Sequence, residues 1–245
     1  MAVRRIQRVG RSTLLVSLPK DWVDVMGLHK GDTVIIRQED DGSLRIIPHQ
    51  TISRDQVSEW IVDVERCRQS LLLLRLIVGN YLIGHDIVKV MIKDEMKLEH
   101  MGEVRDAVRK LAAIGIVEQT MNSVSIQSSV DLTKLKFLDV VKRIHSIINS
   151  MHEAVSRLIV SGRAKEWAEI MSYEDDVDRN VLFGLKQILA AVRDREVRER
   201  VGFESLSQAV LSALIIDDLE EVADNYAKIA FEAKDIMKRD RLREG

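Results

Sequence analysis

Four carboxylates carry the spacing that could do chemistry. Glu174 and Asp178 lie in the stretch YEDDVDRN, Tyr173–Asn180, together with Asp175 and Asp176. They interrupt a helical series of positions spaced three and four apart, Trp167, Met171, Glu174, Asp178, Val181, Leu185 and Ile188, whose other members are apolar. A later series, Ala213, Ile216, Glu220, Ala223, Ala227 and Ala230, holds Glu220, with Asp224 following and Asp217 preceding. Residues four apart on a helix sit about 5–6 Å from one another, so each pair repels itself. Burial adds to that cost. If the two helices face each other, the four acids converge, and only a cation, protons or a basic partner would hold them. All-oxygen ligands suit Mg²⁺, Ca²⁺ or Mn²⁺ and can hold iron. A divalent or iron cation at Glu174, Asp178, Glu220 and Asp224 is thus one way to hold the four acids together. The alternative is a small helix rotation that turns these acids to water. Adjacent Asp217 and Asp218 in IDDLEE favour that alternative.

The elements that would position them are long helices. From Asp131 to about Arg241 the pattern reads as three. The first carries Phe137, Val140, Val141, Ile144, Ile147, Ile148, Met151, Val155 and Leu158 and stops at Gly162. The second runs from about Ala164 to Asp194. The third follows Gly202 and runs from about Glu204 to Arg239, with Leu206, Val210, Leu214, Leu219, Val222, Tyr226, Ile229 and Ala233 on one face. An antiparallel bundle buries such stripes.

The N-terminal part is built differently. Both prolines, Pro19 and Pro48, and four of the twelve glycines fall within the first 50 residues. These punctuate turns. The order reads strand (VRRIQRV), strand (STLLVSL), short helix opened by Pro19 and ended at Gly27, then two strands flanking EDDG, in which Asp41-Gly42 is a hairpin signal. Fifty such residues bury too little to stand alone, so dimerisation through this domain is expected. A strand exchanged between chains would also cover the sheet edges.

Charge separates the two parts. Over the whole chain 37 basic residues balance 39 acidic ones, a net charge of −2. Yet residues 1–20 hold Arg4, Arg5, Arg8, Arg11 and Lys20 and no acid, while residues 51–245 hold 29 basic and 33 acidic groups. A basic head on an acidic body implies different partners for each. Double-stranded DNA is the expected partner of those five cations, through phosphate and base contacts.

Between head and bundle, helical periodicity runs from Gln56 to about Leu82. DIVKVMI then reads as a strand, HMGEVRDAVRKLAAI as a helix, and GIVEQTM with SVSIQSS as a hairpin about Asn122. The run Leu71–Gly84 is 14 residues long and contains Arg75 and Asn80, too short to span a bilayer, so no membrane insertion is expected. One cysteine, Cys67, allows no internal disulfide, and a reducing, cytoplasmic setting is expected. Cys67 reads as core. The N-terminus has no apolar signal-peptide region. His145 and His152 lie roughly 10 Å apart along a helix axis, too far to share a metal. No phosphate loop, dinucleotide motif, zinc-protease motif or C-x-x-C is present. No nucleophile, base and orienter can be named, so an enzyme is not expected.

Two resemblances sharpen this reading. GRSTLLVSLPKDWVDVMGLHKGDTVIIRQEDDGSLRIIP resembles the AbrB/MazE/SpoVT swapped-hairpin DNA-binding domain: a Gly-Arg-Ser start, an apolar-Pro-Lys helix start, a Gly-Leu-x-x-Gly-Asp turn and a final Asp-Gly hairpin. AEIMSYEDDVDRNVLFGL and DDLEEVADNYAKIAFEA resemble the second and third helices of a PhoU domain, with Glu174, Asp178, Glu220 and Asp224 at its acid positions. The PhoU resemblance implies metal binding at those acids and a link to phosphate uptake. The sequence departs from the PhoU signature at Glu221, Ala223 and Asn225. Only one good copy of the bundle is found, with a loose echo in EWIVD, Glu59–Asp63. The joined plan resembles archaeal phosphate-uptake regulators.

The expected fold is therefore α+β multidomain: a swapped-hairpin β-barrel head (1–50), a small α+β middle module (51–130) and a PhoU-like antiparallel three-helix bundle (131–241). The expected function is a DNA-binding transcriptional regulator linked to phosphate uptake, whose body senses metal or a partner. That partner would be a phosphate transporter or kinase component. The rival readings are a non-DNA-binding accessory protein of a phosphate transporter, with the head only a dimerisation device, and a metal store or scaffold.

Overall fold

The computed structural model describes residues 3–38, 42–49, 57–161 and 163–243, with side chains placed at 163 and from 165 to 236 in the last segment. Asp41, Gln56, Gly162 and the 50/51 domain boundary, each used in the sequence reading, lie outside the described residues. The chain divides into two units, Met1–Val57 and Ser58–Gly245.

In the first unit, β1 (Gln7–Val9) pairs antiparallel with β2 (Thr13–Leu15), α1 spans Lys20–Val25, and β3 (Val34–Gln38) pairs antiparallel with β4 (Leu44–Pro48). This is the expected order, with shorter strands. Pro19 is the N-cap of α1, and Gly27 follows its end with φ +61°, a left-handed conformation that costs glycine little. The two hairpins are separate two-stranded sheets, and the described residues of the single chain form no closed barrel. Among the described residues of this unit only Pro48 is buried. Leu14 is 61% exposed, Ile36 60% and Leu44 66%.

The second unit begins with a correction. The stretch expected to continue a helix from Gln56 is instead β5 (Glu59–Asp63) and a single 3-10 turn, Val64–Arg66. The Asp63 carboxylate accepts from the Glu65 amide, capping that turn. Leu71 takes a left-handed φ of +63°, and only then does α2 (Leu72–Ile83) start. Cys67 therefore lies ahead of the leucine-rich helix, half-buried beside the core, where burial raises its thiol pKa. The EWIVD echo is a strand, not a helical motif.

Strand β6 (Ile87–Met91), helix α3 (Leu98–Lys110), and the hairpin β7 (Ile114–Gln119) and β8 (Ser123–Ser128) follow as expected. The sheet order is β5-β6-β8-β7, with β5 parallel to β6 and the remaining pairs antiparallel. Leu73, Ile77 and Tyr81 of α2 and Val104 and Ala107 of α3 share one core with Val88, Val90, Val124 and Ile126 of the sheet.

The bundle comprises α4 (Phe137–Ser161), α5 (Ala164–Arg193) and α7 (Leu206–Arg243), with a short α6 (Arg195–Val201) that the sequence reading did not anticipate. The Asp194 carboxylate caps α6, and Gly202 closes it at φ +97°. The α4 stripe is buried as expected. The third helix is turned in part differently: Ala209, Ser212, Ile216, Ala223 and Ala230 face the core, and Leu219, Tyr226 and Ala233 of the expected face pack against it, whereas Leu206, Val210, Leu214, Val222 and Ile229 are exposed. Two apolar stripes competed on this helix, and the one with small residues won because it allows close approach. At Gly184 of α5 an added Cβ would collide with the Ile216 side chain. Among the described residues no helix is long and apolar enough to cross a membrane.

Candidate functional site

The acidic cluster is assembled by helix packing. Helix α5 presents Glu174 and Asp178, and α7 presents Glu220 and Asp224; all four are half-buried, while Asp217, Asp218 and Glu221 stay exposed. The two pairs face one another closely enough to interact. Burial raises the Glu174 pKa first, and the charges of Asp178 and Asp224 add to it. Glu220 is likewise raised by burial, then by Asp178 and Asp224. Of the remaining carboxylates in the opening stretch, Asp176 pairs with Arg179 at 2.6 Å.

A cation is already present in this cluster, and it comes from the protein. Lys110, the last residue of α3, places its Nζ 2.8 Å from Asp178 Oδ2. Its pKa is raised, chiefly by that hydrogen bond and further by Glu174 and Asp175. Next to it, Arg179 donates from Nε and Nη2 to the Arg109 carbonyl at 3.2 and 3.0 Å. That carbonyl belongs to the last turn of α3, whose final C=O groups lack helical partners. Helix α5 thus grips the end of α3 twice, through Asp178 and through Arg179. The sequence reading named the basic-partner option but missed Lys110 and Arg179. The signal available was the Arg109-Lys110 pair at a helix C-terminus, where cations are favoured.

A metal at these four acids remains an expectation of the resemblance, and the geometry adds a protein cation to the cluster. Among the described residues no three His, Cys, Asp or Glu side chains converge to hold one. Lys110 is bonded to Asp178, and Lys228 lies 3.8 Å from Asp224, so two of the four acids have an ammonium beside them. His145 and His152 are engaged separately. His152 Nδ1 lies 3.1 Å from the Tyr226 hydroxyl, and His145 Nδ1 lies 3.4 Å from Asn149 Nδ2.

The candidate nucleic-acid surface lies in the first unit. Arg4 and Arg5 precede β1, Arg8 is in β1 opposite Leu14, Arg11 is in the β1–β2 turn, and Lys20 opens α1. All five are exposed, and among the described residues none pairs with a carboxylate. Unpaired, exposed cations on one small unit are free to meet phosphates.

Residues 7–53 match the model of a family described as antidote-toxin recognition MazE, bacterial antitoxin. No curated protein and no solved structure matches the chain. The family match covers the N-terminal unit and is compatible with a swapped-hairpin, DNA-binding head; it does not extend to the helical body.

Proposed function

We propose that this protein is a dimeric, DNA-binding transcriptional regulator linked to phosphate uptake. The observation that carries the DNA-binding part is the MazE-type match over residues 7–53, coinciding with Arg4, Arg5, Arg8, Arg11 and Lys20 exposed in the same segment. Domains of this type typically dimerise and bind DNA. Exposed Leu14, Ile36 and Leu44 on a unit with almost no interior favour the same conclusion, because a second copy would cover them. The phosphate link rests on the PhoU-like motifs around Glu174, Asp178, Glu220 and Asp224. The body would then bias the head in response to an effector or to a transporter or kinase component.

The test is duplex binding by the full chain across a salt series. With Arg8→Ala and Arg11→Ala combined, affinity should fall. The slope of log affinity against log salt should shrink by about 1.8, since each lost phosphate contact removes about 0.9. If slope and affinity match the parent, the head is a dimerisation device and the accessory-protein reading replaces this one.

A further inference from the structure

Helix α5 carries a second charged group, outside the acidic cluster. Lys186 of α5 is 5% exposed. Its Nζ donates to Ser128 Oγ at 3.0 Å and lies 3.7 Å from the centroid of the Tyr81 ring. Among the described residues no carboxylate comes within ion-pair distance of it. A buried ammonium without a carboxylate partner is costly. Burial pushes its pKa down to about 8, with Asp86 opposing that shift from farther away.

Lys186 lines a cavity of about 300 Å³ between the sheet layer and the bundle. That is the lower end of the range for small-molecule pockets. Arg193, which donates to the Ile83 carbonyl, lines it beside Lys186, while Asp86 and Asp194 supply two opposing charges. Leu82, Leu132 and Val197 form an apolar wall. Asp86 is held by the Ser58 amide at 2.9 Å, and Asp194 caps α6, so both acids are tied to backbone.

We infer that this cavity binds a small organic acid with one carboxylate and a short hydrocarbon body. The carboxylate meets Lys186 and Arg193, and the hydrocarbon lies on the leucine and valine wall. One negative charge answers the unpaired ammonium. A dianion such as phosphate would instead set a second negative charge against Asp86. Because the walls come from α2, β8, α5 and α6, a bound acid would tie the sheet layer to the bundle. That would make it the effector of the regulator proposed above. Only this consequence rests on that reading, since binding itself is measured without DNA.

The experiment is calorimetric titration of the full chain with 4-methylpentanoate, its neutral analogue 4-methylpentanol, and inorganic phosphate. The carboxylate should bind, and the alcohol and phosphate should bind at least tenfold more weakly. Lys186→Met keeps the chain length and removes the charge; it should weaken the carboxylate at least tenfold. Ala190→Leu narrows the same cavity from another position with Lys186 intact, and should also weaken it, so the inference stays testable if the first variant does not fold. No binding of 4-methylpentanoate, preference for phosphate, or undiminished binding in a folded variant would overturn it.

Discussion

Lys110→Met tests whether a lysine from the middle module holds the acidic cluster together. The variant keeps an unbranched apolar stem at the end of α3 and removes the ammonium beside Asp178. At 2.8 Å the pair has a gross attraction of about 3 kcal/mol if the effective dielectric is about 40. The lysine side chain is 36% exposed and the aspartate 17%, so solvent screens part of this and the pair cost less to desolvate than a buried one. A loss of about 1–2 kcal/mol at pH 7 is the expected outcome. It includes repulsion among Glu174, Asp178 and Glu220 once no ammonium lies among them, and a few tenths from the helix terminus. Urea unfolding followed by far-ultraviolet circular dichroism reads it, because the long bundle helices dominate that signal. The double variant Lys110→Met/Asp178→Asn should recover about half the loss, and the cycle isolates the pair from helix-end effects. At pH 5 the loss should be smaller, because the raised carboxyl groups then take up protons. A loss below about 0.3 kcal/mol with no coupling to Asp178 would refute the clamp and return the cluster to a solvated surface.

The raised pKa values of Glu174 and Glu220 give a sign: the folded state binds more protons than the unfolded one just above the ordinary glutamate value, so their contribution to stability falls as pH rises through that window. Glu174→Gln with Glu220→Gln should raise stability at pH 7, by less than about 1 kcal/mol per site after solvent screening, and flatten the dependence between pH 7 and 5; a steeper dependence would contradict it. Gly184→Val should cost about 1–3 kcal/mol in thermal or urea unfolding, because its side chain meets Ile216 where α5 and α7 touch; an unchanged midpoint would mean the helices part freely. Light scattering at micromolar concentration should give at least a dimer, and a monomer with a folded head would show that the exposed leucines and isoleucines of β2, β3 and β4 need no cover.

Periodicity and punctuation made much of this chain legible without coordinates. Phe137, Val140, Ile144, Ile148, Met151 and Val155 recur at helical spacing, and the structure buries all of them. Pro19 and Gly27 bracket α1 because one fixes φ and the other accepts a left-handed φ. The acid pairs were visible because carboxylates inside an apolar series are costly wherever the helix is buried. Short or doubly patterned segments were not decided that way. Glu59–Asp63 is five residues long, and such a run satisfies strand and helix alike; its parallel pairing with β6 settled the matter. Helix α7 carried two apolar stripes, and contact with Gly184 on α5 selected the one with small residues. The charges were settled at longer range still. Lys110 meets Asp178 across 68 residues of sequence, and Lys186 meets Ser128 across 58. A helical repeat specifies which face of a helix turns inward, but the side chain that arrives from another element is specified only by how the elements pack.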